Sequence, residues 1–300
     1  MKKILCLALF LGLLNAVEVE SFNSKDEVVK VTIKDDPKKI AVADFATLDT
    51  LDSLGLGDRV VAVTKAQNVD YLDRYIKDKN IVNIGSVKEV DLEALMVSEP
   101  DVIFIGTRLK EQYDKLSKIA PVVLLEINYE NGTFESTKKN AKTIAKIFNK
   151  ESEVDAKFDE FEKRLDKIKD SANGKTAVIA MVSNSNINTL GNKKRCSMIA
   201  NDAKFENLAA DAKTTHGNDA SFELIIKLDP EYLFVLDRDT AIGNSGTKKA
   251  KQVLENDLIA STKAYKNDKI YYLNPAVWYL SEGGITAMDE MLKDLENALR

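Results

Sequence analysis

The chain has 300 residues, 44% of them hydrophobic, which is enough for one large core or two of ordinary size. Its formal net charge is -5, with lysines and acids interspersed and no basic block, so nucleic acid and anionic membranes are excluded as preferred partners. A single histidine and two cysteines leave too few ligands for a structural zinc site.

The first sixteen residues place Lys2 and Lys3 ahead of an apolar run from Ile4 to Leu14 and end in Ala16, before Val17-Glu18-Val19-Glu20. This predicts a cleavable export signal over residues 1–16: the run is too short for a stable membrane anchor, which needs about 20 apolar residues. Cys6 lies inside the run and not just after it, so a soluble periplasmic protein is expected and not a lipid-anchored one. Cys196 is then the only thiol, no intrachain disulfide can form, and the residue reads as a small buried hydrophobe.

Residues 17–37 read as polar apart from the alternating Val28 to Ile33, a strand closed by Pro37. From there short apolar strands alternate with helices: strands at 40–43, 60–63, 81–84, 102–105 and 122–125, and helices through Leu48, Leu51 and Leu54, over 91–98, near Tyr113 and over 135–148. That pattern predicts an α/β lobe with a mainly parallel sheet over residues 17–150. Next comes SEVDAKFDEFEKRLDKIKDSA, in which Val154, Phe158, Phe161, Leu165 and Ile168 recur at helical spacing while charged residues fill the rest. It predicts one long helix, within a connecting segment 151–173, with Ser152 as N-cap and Asn173-Gly174 as its stop. Taken alone the stretch could equally be a surface helix of one domain.

The same grammar resumes over 174–300, with strands at 176–182, 232–236 and 269–273 and helices over 198–208, 222–227, 248–254 and 286–299. Two Rossmann-like α/β lobes joined by one long helix are expected. An internal repeat supports them. DLEALMVSEPDVIFIGTR (91–108) aligns without a gap on SFELIIKLDPEYLFVLDR (221–238), matching Glu93 to Glu223, Pro100 to Pro230, Phe104 to Phe234 and Arg108 to Arg238.

Ligands of open α/β sheets bind beyond the carboxyl ends of the strands. Arg108 and Arg238 each fall just past such an end, so in facing lobes they would select an anionic ligand, although either alone could be a solvated loop residue. Arg195 could add a third cation. The lone His216, in Thr214-Thr215-His216-Gly217-Asn218, and the segment Val277-Trp278-Tyr279-Leu280 fall at the same level. An imidazole and a phenolate together suit Fe(III).

These pieces, with IGSVKEVDLEALMVSEPDVIF, the Thr215-His216-Gly217 loop, FVLDRDTAIG and the Trp278-Tyr279-Leu280 segment, resemble the class III periplasmic binding proteins of iron-siderophore and cobalamin uptake, most closely the enterochelin (enterobactin) uptake type. The resemblance covers the whole mature chain. It implies capture of a ferric catecholate siderophore, enterobactin or its linear bis-catecholate fragments, in the interlobe cleft, and delivery to an inner-membrane ABC permease and its ATPase. It implies no permanently bound cofactor, the cargo being an Fe(III)-catecholate, and a monomer. Arg108, Arg195 and Arg238 match the positions that hold catecholate oxygens, His216 and Tyr279 the two that coordinate iron, and Trp278 is expected among the ligand-binding residues. Glu93 and Glu223 match the acidic residues that dock on the permease. The Pro275-Ala276-Val277 stretch and the loop 243–247 depart from the family pattern.

Alternatives within the binding class are a nickel or cobalt chelate, haem or cobalamin. A periplasmic hydrolase using His216 is the enzyme alternative, but there is no G-x-S-x-G, H-E-x-x-H or G-x-x-x-x-G-K-[ST] segment. A non-enzymatic protein is expected.

Overall fold

The computed structural model describes residues 16–212, the two-residue strand Asn218–Asp219 and residues 222–300. The expected export signal with Cys6 therefore lies, up to residue 15, outside the described residues.

The chain opens with an antiparallel hairpin, β1 (Ala16–Phe22) and β2 (Val28–Lys34). β1 falls in a stretch that the sequence marks as polar. Its glutamates alternate with Val19 and Ser21, which are buried, so the strand has one wet face. Then follow β3 (Ile40–Ala43), α1 (Phe45–Ser53), β4 (Val60–Val63), β5 (Val82–Asn83), α2 (Leu92–Val97), β6 (Val102–Gly106) and β7 (Val122–Leu125). The first sheet has the order β2-β1-β7-β6-β3-β4-β5, with β3 to β7 parallel to one another. α3 (Thr133–Ile147) completes the lobe, and α4 (Glu151–Ala172) leads out of it.

α4 has 22 residues and is roughly 33 Å long. Val154, Phe158, Phe161, Leu165, Ile168 and Ala172 are buried along one stripe. The helix starts two residues earlier than expected: Ser152 lies inside it, and Lys150 is the cap residue, without a side-chain capping bond. At the other end Asn173 and the left-handed Gly174 (φ 78°) stop it.

The second lobe contains β8 (Thr176–Ser183), β9 (Asn186–Thr189), α5 (Met198–Asn201), β10 (Glu206–Asn207), β11 (Asn218–Asp219), α6 (Phe222–Leu228), β12 (Tyr232–Asp237), α7 (Arg238–Ala241), β13 (Ile270–Tyr272), α8 (Pro275–Tyr279) and α9 (Ile285–Ala298), with further short helices between them. Its sheet runs β11-β9-β8-β12-β13, with β10 beside β8. The helix expected over 198–208 ends at Asn201. Lys204 adopts a left-handed φ of 68°, which an L-residue helix does not continue through, and the chain returns to the sheet as β10.

The repeat is structural. α2 with β6 and α6 with β12 are the same unit, and the residue before each proline, Glu99 (φ 44°) and Asp229 (φ 42°), is left-handed in both. Alternate residues of the two strands serve different cores. Val102 and Phe104, like Tyr232, Phe234 and Leu236, join one large cluster that also holds Val154, Phe158, Trp278 and Met288. Ile103 and Ile105 belong to an outer cluster of the first lobe, and Leu233 and Val235 to an outer cluster of the second. The lobes thus share one continuous core through α4.

Two carboxylates, the buried Asp49 and the half-buried Asp202, lock this arrangement. Asp49 of α1 accepts from the backbone N–H groups of Thr286 (2.9 Å) and Ala287 (2.8 Å), capping α9 from the first lobe. Asp202 accepts from Thr133 N (3.0 Å) and Phe134 N (3.4 Å), capping α3 from the second. A Cβ on Gly284 would lie 2.1 Å from Asp49 Oδ2, so only glycine permits the approach. α9, which the order of elements assigns to the second lobe, packs on α1, α3 and α4, and Arg164 of α4 grips Glu296 through Nε (2.7 Å) and Nη2 (3.0 Å). Among the described residues no helix is long and apolar enough to cross a membrane.

Candidate functional site

Between the lobes lies a cleft of about 710 Å³. The carboxyl ends of β6 and β12 face it, and the residue that follows each turn out of the sheet delivers a guanidinium: Arg108 in the helical turn Thr107–Gln112, Arg238 as the first residue of α7. Arg195 enters from the loop after β9, and Tyr279 from the last residue of α8, which Asn274 caps and Pro275 starts. Lys88 and Lys194 line the same cleft.

The three arginines converge on one ring. Their Cζ atoms lie 5.7 Å (Arg108), 4.3 Å (Arg195) and 5.8 Å (Arg238) from the centroid of Tyr279. They differ in how much of each is already engaged. Arg238 donates from Nε to Tyr279 Oη and from Nη1 to Ser183 Oγ, both at 3.1 Å. Arg195 donates from Nη1 to the carbonyls of Trp278 (3.2 Å) and Tyr279 (2.9 Å) and faces Glu282 Oε2 at 3.4 Å. Arg108 is exposed in the cleft and, among the described residues, makes no hydrogen bond or ion pair beyond its ring contact. An anion entering the cleft would find the Arg108 guanidinium without a hydrogen bond to break, whereas Arg195 and Arg238 are held by the partners just named.

Three acids stand beside these cations. Asp44 is occupied in capping α1, accepting from Thr47 N at 2.9 Å, and burial pushes its carboxyl up. Glu126 lines the cleft, with burial again raising its carboxyl. Glu282, between α8 and α9, accepts from Tyr129 Oη at 2.9 Å and from Cys196 N at 3.4 Å. Its burial raises the carboxyl against the opposing pull of Arg195. For Arg195 burial disfavours the charge, but Glu282 and its other neighbours outweigh it and the guanidinium stays protonated. Burial, then Glu282, push the Cys196 thiol well above its usual range, so it is no nucleophile.

Arg108, Arg195, Arg238 and Tyr279 are therefore brought together. Trp278 is not with them: it is fully buried behind the cleft, and its Nε1 donates to Asp294 Oδ2 at 2.7 Å. The expectation that it is a ligand-binding residue is corrected, because its neighbour Tyr279 takes the cleft-facing side of α8. His216 lies outside the described residues; Ala212, the last described residue before it, lines a chamber of about 530 Å³ that shares Glu126, Tyr129 and Lys194 with the main cleft. Glu93 and Glu223 are exposed on α2 and α6, the repeated helices. Sequence reading missed Lys88, Tyr129 and Glu282: Lys88 and Tyr129 lie past the ends of β5 and β7, which was the one available signal, whereas Glu282 follows α8 and carries no such signal. Among the described residues no group of three or more His, Cys, Asp or Glu is placed to hold a metal ion.

Residues 40–277 match the family described as periplasmic binding protein, and the chain belongs to that family. The petrobactin-binding protein YclQ of Bacillus subtilis is 39% identical over 268 residues, spanning 88% of this chain and 83% of that one. Its crystal structure superposes with a TM-score of 0.88 at 36% identity, covering 95% and 99% of the two chains. The periplasmic catecholate-siderophore binding protein VctP of Vibrio cholerae gives a TM-score of 0.86 at 32% identity, covering 94% of this chain and 100% of VctP. The siderophore binding protein BauB, solved with two molecules of acinetobactin and ferric iron, gives 0.84 at 25% identity, with 95% and 99% covered.

Proposed function

We propose that this chain is the substrate-binding protein of an ABC importer and captures a ferric catecholate siderophore in the interlobe cleft. The observation that carries the reading is the convergence of Arg108, Arg195 and Arg238 on the ring of Tyr279. Catecholate oxygens on Fe(III) are anionic and planar-chelated, and guanidinium groups match them in charge and in hydrogen-bond direction. Tyr279 Oη, already oriented by Arg238, supplies one protein oxygen to the iron, and His216 the second ligand.

Two catecholates are the leading cargoes. Resemblance to the enterochelin uptake type favours enterobactin or its linear bis-catecholate fragments, whereas the 39% identity to a petrobactin-binding protein favours petrobactin. On this reading Glu93 and Glu223 present the loaded protein to the permease.

The test is a titration of residues 17–300 with a ferric bis-catecholate and with ferric petrobactin, following Trp278 fluorescence and the iron charge-transfer band. Saturable quenching, with a band that Tyr279→Phe shifts, is expected for one or both. Saturation only by haem, cobalamin or a nickel chelate would keep the transport class and replace the cargo.

A further inference from the structure

Glu282 is out of place in a cleft that selects anions. It is a buried carboxylate on the floor of the site, 3.4 Å from Arg195 Nη1, and its remaining partners come from opposite lobes: the Tyr129 hydroxyl after β7 and the Cys196 backbone N–H after β9. The groups that face it are Arg195, Tyr129, the Cys196 thiol and, more distantly, Arg108. Both other acids of the cleft are differently placed: Asp44 caps α1, and Glu126 has Asp26 and Lys110 as its charged neighbours.

Among the described residues Glu282 has one formal counter-charge within ion-pair distance, Arg195. An anionic chelate in the cleft would draw on that same guanidinium and bring like charge towards a carboxylate that solvent cannot screen. A carboxylate in that position relieves the repulsion by taking up a proton. As the acid it still accepts from Tyr129 at one oxygen and gains an O–H donor at the other.

We propose that Glu282 is a positioning residue of the anion site: as a carboxylate it holds Arg195 and Tyr129 in register across the cleft, and it takes up one proton from solvent when a ferric catecholate binds. The inference rests on the proposed cargo class. It predicts that affinity and pH are linked through this side chain, beyond whatever linkage the catechol groups themselves bring.

The experiment is calorimetric titration of the full mature chain with a ferric bis-catecholate, in two buffers of different ionisation enthalpy, between pH 6 and 8. Wild type, Glu282→Gln and Glu282→Asp are compared. The buffers report the protons taken up per ligand bound. Wild type should take up close to one proton more than Glu282→Gln near neutral pH, and its Kd should weaken with rising pH by up to about tenfold per unit relative to that variant. Glu282→Asp, which keeps a titratable carboxyl, should restore the proton, a result that loss of packing alone would not give. Equal proton numbers and parallel Kd curves for wild type and Glu282→Gln would overturn the proposal while leaving the cargo assignment standing. If Glu282→Gln fails to fold, wild type and Glu282→Asp still decide the matter, because a wild-type count equal to that of the chelate's own protonation overturns it. No binding by wild type would overturn the cargo assignment and the proposal together.

Discussion

Arg195 grips Tyr279 twice: its Cζ lies 4.3 Å from the ring centroid, and its Nη1 donates at 2.9 Å to the carbonyl of the same residue. The guanidinium therefore closes the end of α8 and fixes the ring that the other two arginines face. Replacing it removes these bonds and strands Glu282 as an uncompensated buried charge. Arg195→Met should lose about 3 to 5 kcal/mol of unfolding free energy, and the double variant with Glu282→Gln should recover much of that loss. Urea unfolding of the three proteins checks it; additive losses would deny the coupling.

Arg108 presents the opposite case. Beyond longer-range attraction to Asp44 and Glu282, its one direct contact among the described residues is a cation–π contact in an exposed position, worth about 0.5 to 1 kcal/mol. Arg108→Ala should leave the denaturation midpoint almost unmoved while lowering affinity for a ferric bis-catecholate by roughly 2 kcal/mol or more. A variant that binds as tightly as the parent would remove Arg108 from the site.

Trp278→Phe should do the reverse. The indole is fully buried and its N–H donates to Asp294 Oδ2, so truncation leaves a cavity and leaves that oxygen with only the longer bond from Asn274 N (3.3 Å), at a cost of about 1 to 3 kcal/mol. Binding, followed by the charge-transfer band because the fluorophore is gone, should be within a few-fold of wild type. A large affinity loss at unchanged stability would put the indole back at the ligand.

Asp49 makes stability depend on pH. Burial pushes its carboxyl up to about 6, against the opposing hydrogen bonds from Ala287, Thr286 and Tyr71. The unfolded chain releases this proton near pH 4, so between about pH 4 and 6 the native state holds a proton that the unfolded state has lost. This group's contribution is therefore fully present below pH 4 and is lost as pH rises through 6, by about 3 kcal/mol. Unfolding free energies of wild type and Asp49→Asn at pH 4 and pH 7.5 should show wild type losing that amount relative to the variant; a constant difference would contradict the shift.

Elements with strong periodicity were readable without coordinates. The stripe from Val154 to Ile168 and the repeat through Arg108 and Arg238 appear where the spacing puts them, because burial of a helix stripe and the exit from a parallel strand are local properties. What escaped depends on partners distant in the chain. Val17 to Phe22 reads as polar until its pairing with β2 shows which residues face inward. Trp278 and Tyr279 are adjacent aromatics, and only the packing of α8 decides which is core and which is cleft. Glu282 is one of 48 acidic residues, and nothing nearby in sequence signals that Tyr129 and Arg195 close around it.

The crossed capping of the two lobes bears on how the molecule is assembled. Asp49 waits for the backbone of residues 286 and 287, and the face of α1 is covered by α9, the last helix of the chain. The first lobe, though its strands are all made by residue 125, keeps one side open until the C-terminus arrives. Neither lobe is a finished folding unit by itself, and a chain cut short before residue 285 would leave the earlier half without its lid.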